Sequence, residues 1–245
     1  MLIKTLASAL LLTGSLFALS IDEILDKMEE NENANTSKAT MTMTVIDGGG
    51  RKTVSELISY SADKGDKGLM EYTAPARIKG MKILTLNDGD DIWYFSARTG
   101  RVRKIASNQK SQSVNNSDFS YEDMSSSDRR EDYDSKLLAD KTIDGTDCFT
   151  IEMKPKKDDI SYSRIVYYVD KKNFLPVEGL YYDEDGELWK KLYMKNPSKI
   201  GNYWSAETIE MHNVQKGSKT IMKTGKIEYD IELQPGLFSE RNLKR

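Results

Sequence analysis

Few side chains in this sequence are suited to catalysis. His212 is the only histidine and Cys148 is the only cysteine, so a zinc site built from histidine and cysteine ligands cannot be completed. A serine triad would have to use His212, and the sequence contains no Gly-x-Ser-x-Gly motif to supply the nucleophile. Glycine-rich phosphate loops of the P-loop or dinucleotide-binding kind are also missing. The sequence therefore favours a binding protein without a cofactor over an enzyme, and it predicts no catalytic residue and no metal site.

Two groups of carboxylates remain as candidates for chemistry. Asp88 to Asp91 surround Gly89, and Asp183 to Glu187 surround Gly186. Either group could be read as a weak calcium loop, although neither has the ligand spacing of an EF-hand. Aspartate and glycine are also the residues that a hairpin turn requires, so we interpret both groups as turns. A glycoside hydrolase would need two carboxylates that meet in space, and the sequence alone does not establish such a meeting.

Methionine and aromatic side chains alternate with polar ones along several segments. Met41 and Met43 share one face of a predicted strand, and Met70 and Tyr72 share one face of another. Methionine is flexible and suits a surface that must fit variable apolar partners. The same alternation is typical of an ordinary β-sheet core, so a binding surface and a core both remain open.

A basic segment contains Arg101, Arg103 and Lys104. On a strand, Arg101 and Arg103 share one face while Val102 points to the other. The segment could contact anionic lipid headgroups or an acidic partner. It could equally be a solvated strand end beside acidic loops.

The N-terminal residues predict export. Lys4 gives a positive start, residues 6–19 form an apolar run, and Ala18-Leu19-Ser20 resembles a cleavage site. A transmembrane anchor is the alternative, but the run is shorter than the roughly 20 apolar residues of a spanning helix. We predict a cleaved signal peptide over residues 1–20 and a single periplasmic domain over residues 21–245. The net charge of −3 argues against a nucleic-acid partner, which would select a basic face.

The predicted elements are mainly strands. Residues 21–28 form a helix, because apolar side chains at 21, 24, 25 and 28 share one helical face. About eleven strands follow, at 39–45, 51–62, 64–73, 81–87, 92–96, 148–154, 164–170, 176–182, 188–195, 203–213 and 220–232. Most connections are short, so consecutive strands should pair antiparallel. So many strands favour a strongly curved sheet or partial barrel with helices against its concave face.

The alternating pattern lapses over residues 106–134, which are rich in Ser, Asn, Asp and Gln. A connection of this length in a compact domain is usually a lid, a binding loop or a disordered segment. We predict a mobile insertion with a short helix near the aromatic residues of Asp118 to Met124.

Four segments resemble a known family. They are TAPARIKG at 73–80, IWYF at 92–95, RVRKI at 101–105 and, as the most specific, DFSYED at 118–123. In this order they resemble the bacterial outer membrane lipoprotein-sorting proteins of the LolA/LolB-like superfamily, and the resemblance spans most of the chain after residue 20. The chain departs from the pattern at 111–117, which is SQSVNNS where the family is richer in Gly and Phe, and it is longer than LolA itself.

The resemblance implies a mainly β protein with a few helices, a half-open antiparallel β-barrel closed by a helical lid. It also implies a hydrophobic cavity that holds acyl chains. Phe119 and Tyr121 are then expected to anchor the long loop or to cover bound ligand, and Arg101, Arg103 and Lys104 to contact headgroups or a partner. The side chains expected to line the cavity are Met41, Met43, Met70, Tyr72, Leu84, Trp93 and Phe95.

Three functions follow as hypotheses. The first is a periplasmic carrier that binds acyl chains of lipoproteins or lipids and takes them from an inner-membrane exporter to the outer membrane, with transient membrane contact. The second is an accessory protein, similar to RseB, that senses lipid for a membrane complex. The third, less favoured, is a hydrolase acting on a periplasmic polymer.

Overall fold

The computed structural model describes residues 19–32, 34–124 and 129–244. Residues 1–18, which hold most of the predicted signal peptide, lie outside this range. The helices are α1 (Ile21–Glu32), α2 (Arg129–Asp132) and α3 (Glu240–Leu243). The strands are β1 (Thr36–Ile46), β2 (Lys52–Ala62), β3 (Lys67–Ala74), β4 (Lys82–Leu86), β5 (Asp91–Ser96), β6 (Arg101–Ile105), β7 (Tyr133–Ile143), β8 (Thr146–Pro155), β9 (Arg164–Asp170), β10 (Pro176–Tyr182), β11 (Leu188–Ile200), β12 (Tyr203–Asn213) and β13 (Ser218–Tyr229).

All thirteen strands form one antiparallel sheet that does not close on itself. Its order is β6-β5-β4-β3-β2-β1-β13-β12-β11-β10-β9-β8-β7, so two consecutive meanders join where β1 pairs with β13. The predicted half-open antiparallel barrel with few helices is confirmed. The described residues form thirteen strands where about eleven were predicted, and the two additional strands are the edges, β6 and β7.

Alternation along the strands builds the core on the concave face. Met43 is fully buried and lies opposite Ser55 of β2 and Met222 of β13. On the neighbouring strands, Leu57 lies opposite Tyr72, and both are buried. The main core therefore fills the inside of the curved sheet.

Helix α1 covers this concave face. Its apolar stripe of Ile24, Leu25 and Met28 is at most 2% exposed and packs into the main core, with β12 and β7 as neighbouring strands. The helix begins at a capping box: the Ser20 backbone N–H donates to Glu23 Oε2 at 2.7 Å, and the Glu23 N–H donates to Ser20 Oγ at 3.3 Å. Two donors that the first helical turn cannot satisfy itself are thereby paired.

The convex face of β3 to β5 is covered by the C-terminal segment. Leu84 is buried there against Leu243, and Trp93 and Phe95 pack into the same cluster. The prediction that these three residues line the concave cavity is therefore wrong. The ladder pairs Leu84 with Trp93 and Ile83 with Tyr94, so Ile83 and Tyr94 face inward instead.

The long connection between the edge strands has little regular structure. A short 3₁₀ turn occupies residues 107–109, and Ser113 and Ser120 form an isolated bridge. The predicted short helix near 118–124 is a series of turns, and the following helix is α2 at 129–132. Across 19–32, 34–124 and 129–244, none of the helices is both long and apolar enough to span a bilayer.

Candidate functional site

Methionine dominates the interior of the half-barrel. Six methionines are buried in the main core, and four more pack against it. They comprise Met28, Met43, Met81, Met153, Met211 and Met222, with Met41, Met70, Met124 and Met194 at the periphery. Every methionine of the chain except Met1 therefore belongs to this one interior. Flexible thioether side chains give it a surface that can change shape at low cost.

Four of the residues predicted to line the interior lie there. Met43 and Tyr72 are fully buried, and Met41 and Met70 pack at the edge of the same core. The Tyr72 hydroxyl donates to Met43 Sδ at 3.8 Å, and burial raises the pKa of this phenol far above its ordinary value. On the next strands, the Tyr94 hydroxyl donates to Met81 Sδ at 3.3 Å. Both phenols thus donate to methionine sulfur, and Tyr72 also has a side-chain hydrogen bond with Asn115 of the long connection.

The opposite wall of the interior is rich in tyrosine. Tyr167 and Tyr181 share a hydrogen bond between their hydroxyls at 2.7 Å, and their rings meet edge to face. Gly179 permits this packing, because a Cβ at that position would lie 2.9 Å from the Tyr167 ring. Sequence analysis placed these tyrosines on strands but assigned them no role, because alternation does not show which strands face each other across a curved sheet.

The connection between the edge strands crosses the interior and is fastened on its far side. Asp118 accepts a hydrogen bond from Thr220 Oγ1 at 2.8 Å and another from Ser218 Oγ, both on β13. The Asp118 backbone N–H also donates to Thr220 Oγ1 at 2.8 Å. We call residues 106–124 the strap, because they join β6 to the opposite part of the sheet.

A buried ionic cluster holds the end of the strap. Lys190 Nζ of β11 lies 2.8 Å from Asp123 Oδ2, and both side chains are at most 4% exposed. The Tyr162 hydroxyl donates to Asp123 Oδ1 at 2.6 Å and accepts from Lys190 Nζ at 2.8 Å. Next to it, Ser161 donates to Glu122 from Oγ at 2.6 Å. Burial raises the pKa of Glu122, and its bonds to Ser161 offset part of that rise.

Phe119 and Tyr121 belong to the strap, and their rings are buried against the sheet. Phe119 is 5% exposed and belongs to the main core, whereas Tyr121 is 4% exposed and packs with Ile83, Ile92 and Ile105. Both rings are thus placed to hold the strap against the sheet. Of the residues that form these contacts, the sequence singled out only the DFSYED segment. No sequence pattern marked its partners Lys190, Tyr162 and Thr220.

Helix α1 is held by partly exposed polar contacts at its middle and its C-terminal end. Arg130 of α2 pairs with Asp26 and, at 3.3 Å, with Glu29. At the C-terminal end, Asn31 Nδ2 donates to the Asn173 carbonyl at 2.7 Å, and the Trp204 N–H donates to Asn31 Oδ1 at 3.0 Å. Exposed ion pairs of this kind contribute little stability, so the buried ionic cluster fixes the strap more firmly than these contacts fix the helix.

The three basic residues that were predicted to contact headgroups or a partner lie on two different faces of β6. Arg103 is exposed on the inner side, where its guanidinium lies 5.1 Å from the Tyr94 ring centre, and Arg101 shares that side of β6. Lys104 points outward, pairs with Asp91 and lies 5.8 Å from the Trp93 ring centre. The pairing with Lys104 lowers the pKa of Asp91. Lys104 is therefore engaged within the protein itself.

The candidate catalytic groups lie apart from the interior. His212 Nε2 lies 2.8 Å from Glu210 Oε2, and its ring meets the Tyr193 ring edge to face. Cys148 is buried on the convex face, where desolvation raises its pKa to about 11. Among the described residues, no group of three or more His, Cys, Asp or Glu side chains is arranged to hold a metal ion. The interior of the half-barrel is built mainly from apolar side chains.

Comparison with known proteins agrees with this geometry. A family model described as that of an uncharacterized protein matches residues 64–245, whereas comparison with curated protein sequences gives no match. A domain of Vibrio parahaemolyticus assigned as an outer membrane lipoprotein-sorting protein is 30% identical, with a TM-score of 0.85 over 91% of this chain and 97% of its own.

Two further crystal structures have the same fold. A DUF1329 family protein of Desulfovibrio piger is 28% identical, with a TM-score of 0.84 over 90% of this chain and 96% of its own. A LolA superfamily protein of Nitrosomonas europaea is 18% identical, with a TM-score of 0.77 over 92% of this chain and all of its own. From the fold, the interior and these likenesses, the chain belongs to the outer membrane lipoprotein-sorting protein family, with the LolA-like fold.

Proposed function

We propose that this protein is a periplasmic carrier that shelters acyl chains of lipoproteins or lipids in the half-barrel. It would receive them from an inner-membrane exporter and deliver them to the outer membrane. The observation that carries this proposal is the interior itself, where a curved sheet and helix α1 enclose ten methionines. The likeness to a lipoprotein-sorting domain at 30% identity supports it.

The energetic requirement of such a carrier matches the interior. Exposing a palmitoyl chain to water costs roughly 12 kcal/mol, at about 0.8 kcal/mol per methylene. A carrier has to offer an apolar environment of that order and still release its load. Methionine side chains adapt to a guest by changing rotamer, so they can fill the interior when it is empty and line it when it is occupied.

Helix α1 is the element that we propose a guest displaces. Ile24, Leu25 and Met28 fill the concave face as an acyl chain would, and the helix is held to its surroundings by exposed ion pairs and a few hydrogen bonds. The strap is fastened by buried polar groups and stays in place. Exchange of one apolar occupant for another leaves the total buried apolar surface similar, and no nucleotide hydrolysis on this chain is needed.

The direct test begins with native mass spectrometry of protein purified without detergent, where co-purified acyl ligands are expected. The second measurement is binding of a fluorescent fatty acid to Met70→Asp. Met70 lies at the edge of the interior, so a carboxylate there should weaken binding by about tenfold or more, since a charge is costly to bury beside an acyl chain.

Val54→Asp is the matched control. Val54 is 53% exposed, so the same charge there meets water and should leave fatty-acid affinity unchanged. Circular dichroism and thermal melting establish that both variants are folded. Equal affinity in folded Met70→Asp and the parent protein, together with purified protein free of acyl ligands, would refute the carrier function.

A further inference from the structure

Five cationic side chains gather at one corner of the sheet. Arg77 and Lys79 lie in the connection from β3 to β4, Arg98 lies in the connection from β5 to β6, and Arg101 and Arg103 lie on β6; all five are exposed. The two connections adjoin, since a Cβ on Gly80 would lie 3.2 Å from Ala97 Cβ. We call these five residues the basic corner.

The basic corner has no acidic counterpart nearby in sequence. Between Tyr72 and Ser117 the only acidic residues are Asp88, Asp90 and Asp91. They lie at the turn from β4 to β5, which is at the opposite end of these strands from the connections that hold Arg77, Lys79 and Arg98. Two of these carboxylates have other partners, because Asp91 pairs with Lys104 and Asp90 pairs with Lys110 at 3.7 Å. The local charge is therefore positive in a chain whose net charge is −3.

Carboxylates on the adjoining strands do not neutralise the corner either. Glu71 of β3 pairs with Lys82 at 3.9 Å. Glu56 of β2 lies opposite Ala74, at the end of β3 next to the corner, but it forms no ion pair with any of the five cations among the described residues. Within the described parts of the chain, none of the five cations forms an ion pair. Five exposed positive charges without acidic partners repel one another, so the arrangement is more favourable when an anionic surface meets it.

The corner adjoins the open side of the half-barrel. Strand β6 is an edge of the sheet, and Arg103 lies over Tyr94, which packs with the interior residues Met70 and Tyr121. A surface that meets the basic corner is therefore brought to the edge of the apolar interior. The cations project from two turns and an edge strand, so they present charge over a broad area, as a surface of many phosphates requires.

We propose that the basic corner docks this protein onto a bilayer surface that carries anionic phospholipid headgroups. The proposal deepens the carrier function and rests on it, because docking places the edge of the interior against the membrane that supplies or accepts the acyl chain. Basic residues near an anionic leaflet add attraction roughly one by one, and the attraction falls off within a Debye length.

The test is co-flotation with vesicles of phosphatidylethanolamine and phosphatidylglycerol, with phosphatidylcholine vesicles as the neutral comparison. The protein should float with the anionic vesicles, and high salt should release it. Arg98→Glu/Arg101→Glu should weaken this binding by at least about tenfold. The control is Lys199→Glu/Lys223→Glu, which changes the net charge equally at two exposed lysines of β11 and β13 and should bind almost as the parent does.

Fluorescent fatty-acid binding in solution separates this proposal from the carrier function. Both double variants should keep the parent affinity for the fatty acid, because neither replaces a residue of the interior. Equal loss of vesicle binding in the two variants would show that net charge alone determines this binding, and it would overturn the specific role of the basic corner. Equal binding of the parent protein to neutral and anionic vesicles would also overturn the proposal. So would binding to neither kind of vesicle, and in that case an acidic protein would be the next candidate partner of the basic corner.

Discussion

At the scale of single residues, the buried pair of Lys190 and Asp123 is the contact on which the strap depends most. Both side chains are nearly inaccessible, and Tyr162 completes the cluster with hydrogen bonds to each of them. Asp123 also accepts a hydrogen bond from the Ser120 N–H at 2.8 Å, but Lys190 is its ion-pair partner, so removing either member leaves a buried charge without its counter-charge. The Tyr162 phenol stays protonated within the cluster, because burial, followed by the Asp123 charge, raises its pKa well above the ordinary value.

Asp123→Asn should therefore destabilise the protein by about 3 kcal/mol or more, measured by urea unfolding. Asp134→Asn is the control, because Asp134 is 82% exposed in its pair with Lys156 and should cost less than about 1 kcal/mol. Asp123→Leu combined with Lys190→Met should recover part of the loss by removing both charges. Similar small losses in the two single variants would contradict the role given to the buried pair.

The face on which a side chain lies could be predicted where a local pattern carried the information, while the role of these side chains in binding a ligand stays a prediction. Alternation placed Met41, Met43, Met70 and Tyr72 on faces that the structure turns inward. Leu84, by contrast, alternates as regularly as they do, yet it faces the C-terminal segment. A strand with apolar side chains on both faces gives no local sign of which face is concave, and the segment that covers the convex face comes from the far end of the sequence.

At the scale of elements, helix α1 begins at Ile21, and its capping residue is the last residue of the predicted signal peptide. Ser20 provides the cap, and Leu19 packs against the main core. Cleavage after Ser20 would remove both the cap and this packing contact. The edge strands β6 and β7 were not among the predicted strands. Charged side chains interrupt their apolar alternation, and such charges keep edge strands from pairing with other chains.

Ser20→Ala should lower the free energy of unfolding by about 1 kcal/mol, because the first turn of α1 loses its cap. Ser198→Ala, at an exposed position of β11, should have almost no effect. Intact-mass measurement of the exported protein should give an N-terminus at or before Ser20. A mature chain beginning at Ile21 with undiminished stability would show that the capping box is dispensable.

At the scale of the whole molecule, the half-barrel has one cover that is weakly held and one that is firmly held. Arg130 fastens α1 from outside, whereas the strap is bonded to β11 and β13 from within. The half-open barrel itself was predictable, because short links and many strands force a curved meander. The difference in how firmly α1 and the strap are held was not predictable, since it depends on contacts between residues far apart in sequence.

Asp26→Asn/Glu29→Gln should speed fatty-acid association by about two- to thirtyfold, because each of the two ion pairs contributes roughly 0.2–1 kcal/mol to keeping α1 in place. Stopped-flow fluorescence measures this rate, and high salt should bring the parent protein towards the variant. Asp22→Asn, which removes a carboxylate from the same helix, is the control. Identical rates in all three proteins would mean that α1 does not limit entry.

The pairing of β1 with β13 also governs how the molecule can be made. Each meander is assembled from neighbours in sequence, but the hydrogen bonds that unite the two meanders join residues near 40 to residues near 225. Docking of the two halves has to wait for the final strand, and such distant pairings form slowly. A polypeptide delivered through a narrow channel in an extended state would therefore leave the channel before β1 and β13 could pair.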